Sequence, residues 1–258
     1  MSQQRRRERP HARQGVDGRA QLASETGRAS QAVNDSSDVL QDQRRVAGLL
    51  GIEGTQVLQG ELANVDAMFH AGFRLIGLTH FFDTDVAGSA HGVHKGGLTP
   101  FGHKVLQRME ELGMIVDLAH ASPATIDDVL AAATKPVIVS HTGVQGTHKS
   151  TRNLSDRQLQ AVADRGGLIG IAFFKHAIGG TDTPAIIDAI KYTADQVGVA
   201  HVALGSDFDG VVATPFDATG MAEITDGLLK ANFSDQDVAA IMGENVRAFL
   251  PKVLPTRR

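Results

Sequence analysis

The segment from Met114 to His141, MIVDLAHASPATIDDVLAAATKPVIVSH, constrains the fold more than any other stretch of the chain. Met114 to Ala119 and Val137 to Ser140 are short apolar, β-branched runs. Between them, Ser122 to Ala133 carries apolar residues at helical spacing after a Ser-Pro start. The pattern predicts strand, helix, strand, and two strands joined by one crossover helix run parallel. His120 and His141, each directly after its strand, then emerge at the same end of neighbouring strands. Such strands lie about 4.8 Å apart, so the two imidazoles can meet on one zinc at bonds of about 2 Å. The alternative is two unrelated histidines at strand ends, since histidine is common in loops.

The same arrangement recurs along the chain. Val46 to Gly54, VAGLLGIEG, reads as a buried strand ending in Glu53, and on its own a carboxylate there reads more readily as helix-capping or solvated than as functional. Leu62 to Ala71 reads as a helix, and Phe73 to Leu78 as the next strand, closing in Thr79 and His80. The long Gly-rich loop after His80 has the character of a pocket-shaping loop, and its His91 and His94 read more readily as solvated than as ligands. Thr99 to Leu112 is expected as a helix with Thr99 as cap and Pro100 at its first position.

After His141 a polar loop carries His148 and Arg152. Arg152 is either a solvated cation or a forked clamp for a substrate carboxylate. Ser155 is expected to cap the helix Asp156 to Asp164; strand Leu168 to Phe174, helix Pro184 to Val197 and strand Val202 to Gly205 follow. The last strand runs into SDFDG, which sets Asp207 at its C-terminal end; the glycine spacing and the missing later Glu reject an EF-hand there. Two or three helices close the chain, including Ser234 to Met242 with Ser234 as cap.

Strand and helix units repeating at roughly 20 to 30 residues imply a parallel α/β architecture. No GxGxxG follows a strand, and polar groups cluster at strand ends instead, which favours a barrel with its site at the C-terminal face over an open nucleotide-binding sheet. The 258 residues match the length of a (β/α)₈ barrel, yet about six strands are recognisable. Residues 1 to 45 read as a polar tail, disordered or weakly helical, and residues 46 to 258 as the barrel domain. A net charge of -4, with Arg5 to Arg7 the one strongly basic run, argues against nucleic acid. No apolar stretch approaches the roughly 18 residues of a membrane span. With no cysteine, any transition metal must be held by His, Asp or Glu, and the composition suits the cytoplasm.

The stretches GIEG, GLTHFFD, GGLTPFGHKV, GMIVDLAHAS, VIVSHTGV, STRNLSD and ALGSDFDG, in this order from Val46 to about Phe249, resemble the membrane dipeptidase (renal dipeptidase) family of zinc peptidases, in its bacterial form. The resemblance implies an amidohydrolase-type (β/α)₈ barrel with a two-zinc centre that cleaves dipeptides by a metal-bound hydroxide. It implies that Glu53 bridges the metals, that His120 and His141 ligate one of them, and that Asp207 exchanges protons with the attacking water and leaving amine. It further implies that His80 steadies the oxyanion and that Arg152 holds the substrate carboxylate. Zinc lowers the pKa of bound water toward about 7, and a nearby carboxylate can manage the proton transfers.

The sequence departs from the family at one point. The family supplies a further His-x-Asp ligand pair at the end of its first strand, and no such pair occurs here; the only histidine before residue 70 is His11. The expectation is therefore an incomplete barrel, as a truncated or frame-shifted reading frame would give. One zinc is expected on Glu53, His120 and His141, and a second is expected to be weak or absent. An impaired or inactive relative, or a single-metal hydrolase of other amides, lactones or phosphoesters, stands as the alternative. An uncovered strand edge beside Val46 to Ile52 favours self-association.

Overall fold

The computed structural model describes residues 30–36, 38 and 46–256. Arg5 to Arg7, His11 and most of the expected polar tail lie outside the described residues. The frame is a six-stranded parallel sheet in sequence order, β3 (Leu50–Glu53), β4 (Phe73–Gly77), β5 (Ile115–Asp117), β6 (Ile138–Thr142), β7 (Leu168–Ile171) and β8 (Val202–Leu204). Helices α1 (Ala63–His70), α2 (Pro100–Leu112), α3 (Pro123–Ala132), α4 (Asp156–Asp164), α5 (Lys175–Ile178) and α6 (Thr183–Val197) follow in the crossovers. The C-terminal region adds α7 (Ala222–Lys230), α8 (Asp235–Ala239) and α9 (Asn245–Val253).

Five of the helices start at a side-chain cap. The side chains of Thr99, Ser122, Ser155, Asp182 and Ser234 each accept a hydrogen bond from a first-turn backbone N–H, satisfying donors that the helix leaves free. At the other end of α2, Gly113 adopts φ 72°, and an added Cβ would lie 2.9 Å from the Pro255 nitrogen, so the turn into β5 requires glycine. The inner strands β5 and β7 are buried along their whole length, as strands packed on both faces must be.

The expected strand at Val46 to Gly54 is instead two. β2 (Val46–Gly48) leaves the main sheet and pairs in parallel with β1 (Ser30–Ala32), a strand inside the segment expected as a tail, while Leu50–Glu53 alone pairs with β4. Val33, which follows β1, packs with Ile115, Leu168, Phe249, Val253 and Leu254, the first residues of β5 and β7 and the end of the chain. This second apolar cluster closes the N-terminal ends of the strands. Arg74 ties the segment down, donating from Nε to the Asn34 carbonyl at 2.6 Å while its guanidinium lies over the Phe69 ring.

The two edges of the sheet differ. The turn Ala240–Glu244 packs against β8, and the Asn245 amide donates to the Val199 and Val202 carbonyls at 2.7 and 2.8 Å. Among the described residues β3 pairs on one side only, and its burial alternates between half-buried and exposed, where β5 and β7 are wholly buried. The sheet does not close beside β3 among the described residues.

Candidate metal centre

The C-terminal ends of the strands surround a cleft of about 1260 Å³, lined by Glu53, His80, His120, His141, Arg152 and Asp207 among others. Glu53 is the last residue of β3, His80 follows β4, and Asp207 follows β8. His141 lies within β6 rather than after it, because that strand continues to Thr142, which pairs with Ile171 beyond an irregularity in register. His120 (φ 61°) and Asp207 (φ 60°) both adopt the left-handed backbone conformation. Non-glycine residues pay for that conformation, and such strain gathers where side chains must be aimed.

Two imidazoles and a carboxylate converge. His120 Nε2 is 2.9 Å from His141 Nε2, and Glu53 Oε1 lies 3.4 Å from His141 Nε2 and 3.9 Å from His120 Nε2. One ligand atom from each of these residues falls within 4.8 Å of the others, and among the described residues no other such trio occurs. Both rings are buried, and burial, together with the Arg152 charge, pushes His141 down to about 3 and His120 lower still. Both therefore stay neutral at ordinary pH, which is the form that binds a metal. Nitrogens 2.9 Å apart can be spanned by two bonds of about 2 Å to one ion, so the donor set fits a divalent cation such as zinc.

Burial, with Asp117, Asp207 and Asp209 nearby, pushes Glu53 up to about 7, against the pull of Arg152. His80 Nε2 stands 3.4 Å from Glu53 Oε2, and its ring packs edge-on to His120. Arg152 is buried rather than solvated: Nη2 donates to the His141 carbonyl at 2.6 Å, its Nε has no partner, and the charges of Asp117, Glu53 and Asp207 offset its own. His91 and His148 also line the cleft, His91 with its ring 5.2 Å from that of His120, whereas His94 serves the loop by donating its backbone N–H to Asp83. Sequence reasoning missed Asp117, which is 1% exposed on β5 beneath the two histidines. The available signal was a carboxylate inside the apolar run MIVDLAH, because a buried charge needs a reason.

A parallel α/β sheet with imidazole and carboxylate groups gathered at its C-terminal ends defines a hydrolase-type metal-dependent barrel. The chain belongs to the membrane dipeptidase family (peptidase family M19), whose profile matches residues 2–255. The match thus takes in most of the segment before Val46. Dipeptidase verJ of Clonostachys rogersoniana is 32% identical over 220 residues, 81% of this chain and 56% of that protein. The chain therefore spans little more than half the length of this relative. Among solved structures, the probable dipeptidase PvdM of Pseudomonas aeruginosa superposes with a TM-score of 0.84 at 20% identity, covering 91% of this chain and 76% of that one. A metallopeptidase of Rhodobacter sphaeroides, liganded with a phosphinate mimic of the dipeptide L-Ala-D-Ala, gives 0.79 at 22% identity, covering 87% and 69%. Among the described residues no helix is long and apolar enough to cross a membrane.

Proposed function

We propose that the chain is a zinc-dependent dipeptidase with one well-held cation. The observation that carries the reading is the convergence of Glu53, His120 and His141 on a single point in the cleft that also holds Asp207, His80 and Arg152. Glu53, His120 and His141 would hold the ion, which when bound supplies Lewis acidity and a water of lowered pKa. Asp207, whose pKa is raised by burial and by Asp209, would take a proton from the attacking water and return it to the leaving amine. His80, held neutral by burial and the Arg152 charge, donates to the oxyanion, and Arg152 receives the substrate's C-terminal carboxylate as a bidentate partner. Phe81 and Val211, 52% and 101% exposed, place apolar surface at the cleft wall and favour apolar substrate side chains.

Zinc bound per folded chain, measured after chelator washing and resupply, together with hydrolysis of a dipeptide panel, tests this reading. One zinc per chain, lost in His120→Ala, with chelator-sensitive dipeptide turnover, is the expected result. A second reading is favoured by the three ligands that the described residues supply, where the sequence resemblance implies two metals. It makes the chain an impaired relative, or a single-metal hydrolase of other amides or lactones. Zinc binding without dipeptide turnover, with uncharged substrates still cleaved by Arg152→Ala, would establish it.

A further inference from the structure

We propose that Phe81 and His91 form an aromatic corner that receives a flat side chain on the N-terminal residue of the substrate. The identity of the occupant rests on the dipeptidase reading above; the corner itself is a feature of the loop that follows β4. Phe81 and His91 both line the cleft, with ring centroids 5.3 Å apart and planes inclined at 57°. The His91 ring also lies 5.2 Å from that of His120, which sets the corner beside the metal centre. Phe81 remains 52% exposed, and among the described residues no protein group hydrogen-bonds the His91 imidazole.

The loop holds these rings by its backbone. The Asp83 carboxylate accepts the backbone N–H of Ser89 and of His94 at 2.8 Å each, and that of Lys95 at 3.3 Å. Ser89 is fully buried and bridges to Ala121 in antiparallel fashion, and Ala90 donates its N–H to the His120 carbonyl at 2.8 Å. The His91 N–H donates in turn to the Ser89 hydroxyl at 3.1 Å. A Cβ on Gly92 would collide with the Asp83 carboxylate, so the brace closes only around glycine. None of these bonds uses the ring of Phe81 or His91. Both rings are fixed in place yet left open, the preorganised condition in which little ordering is lost on binding.

The order of the strands decides which part of a dipeptide meets them. Arg152 follows β6 and bonds the His141 carbonyl, Phe81 follows β4, and Ser89 to His91 lie over the end of β5. A dipeptide with its carboxylate at Arg152 and its scissile bond at Glu53, His120 and His141 therefore extends its N-terminal residue toward β4, onto the corner. Two rings inclined at 57° offer a face and an edge, and a third ring can pack on both in the offset and edge-to-face arrangements that aromatic groups prefer.

The test measures kcat/KM for Phe-Ala, Ala-Phe and Ala-Ala, each in L,L and L,D form, on the zinc-supplied full chain, and calorimetric affinity for the phosphinate isosteres of the same three. Phe-Ala should exceed Ala-Ala about 10-fold in both readouts. His91→Ala and Phe81→Ala should each cut that ratio about 3- to 10-fold without moving the ratio of Ala-Phe to Ala-Ala, whereas His91→Phe should keep it. His94→Ala, on the same loop but not lining the cleft, should change neither ratio. A Phe-Ala preference that is absent, or that survives both alanine variants, would overturn the corner. So would a loss confined to Ala-Phe, which would put the C-terminal residue there. Phosphinates ranked as expected by a chain that hydrolyses no dipeptide would keep the corner and remove the dipeptidase reading. Turnover without the ranking would do the reverse, and a chain that neither binds nor hydrolyses any of the three would lose both.

Discussion

Glu53 faces opposite demands in the metal-free and the loaded protein. Pushed up to about 7 from the usual 4.5, its carboxyl keeps a proton in the folded chain that the unfolded chain has already released. Stability contributed by this group therefore falls as pH rises from 4.5 to 7. The neutral imidazoles of His120 and His141 act the other way, since their lowered pKa values remove stability as pH falls below their ordinary 6.5. Subtraction separates the two effects: the metal-free Glu53→Gln variant should gain stability relative to wild type across pH 4.5 to 7. With 40% of the Glu53 side chain in solvent, screening reduces the size of the effect, and its direction is the test. Urea unfolding at several pH values would read it, and a flat difference would show that Glu53 is not strained by its neighbours. Residues at this scale were legible in the sequence where polar groups end apolar runs, as with His120 and Asp207. Asp117 was not, because its meaning depends on Ser140 of the next strand.

Elements were legible where a local signal decides them. Thr99, Ser155 and Ser234 cap their helices as their sequence positions foretold, since a cap is settled within about four residues. The break between β2 and β3 was hidden inside one apolar run, because the separation depends on pairing with Ser30–Ala32, far away in sequence. The strand expected to reach Phe174 ends at Ile171, and the short helix Lys175–Ile178 falls in the stretch before Pro184 for which no element was expected. The Ser155 cap offers a clean stability test. Ser155 and Gln158 close a capping box, and Gln158, 2% exposed, also donates to the Pro123 carbonyl at 3.2 Å and to Asp127 at 3.0 Å. Ser155→Ala should cost about 1 kcal/mol, and Gln158→Ala more because it removes, besides its half of the box, both hydrogen bonds of a buried amide. Denaturant midpoints would show this order, with zinc affinity unchanged in both variants.

At the scale of the molecule, the six parallel strands and their order were legible because each βα unit announces itself and right-handed crossovers leave little choice of topology. The parallel pair beneath them was not, since the short SQA segment of β1 carries no strand signal of its own. The backbone of β3, paired on one side among the described residues, retains hydrogen-bonding capacity. Sedimentation should accordingly show association that grows with protein concentration, and a strictly monomeric chain across that range would mean the edge is covered. The placement of the donors has another consequence. Glu53 stands on this edge strand, while His120 and His141 belong to the sheet's centre. A cation held by all three would act as a removable cross-link, closing the long chain between Glu53 and His141 much as a covalent staple would. Amide exchange in Leu50–Glu53 should therefore slow on zinc addition far more than in β7, and Glu53→Gln should abolish the difference, making the metal a fastener of the frame as well as a reagent in the cleft.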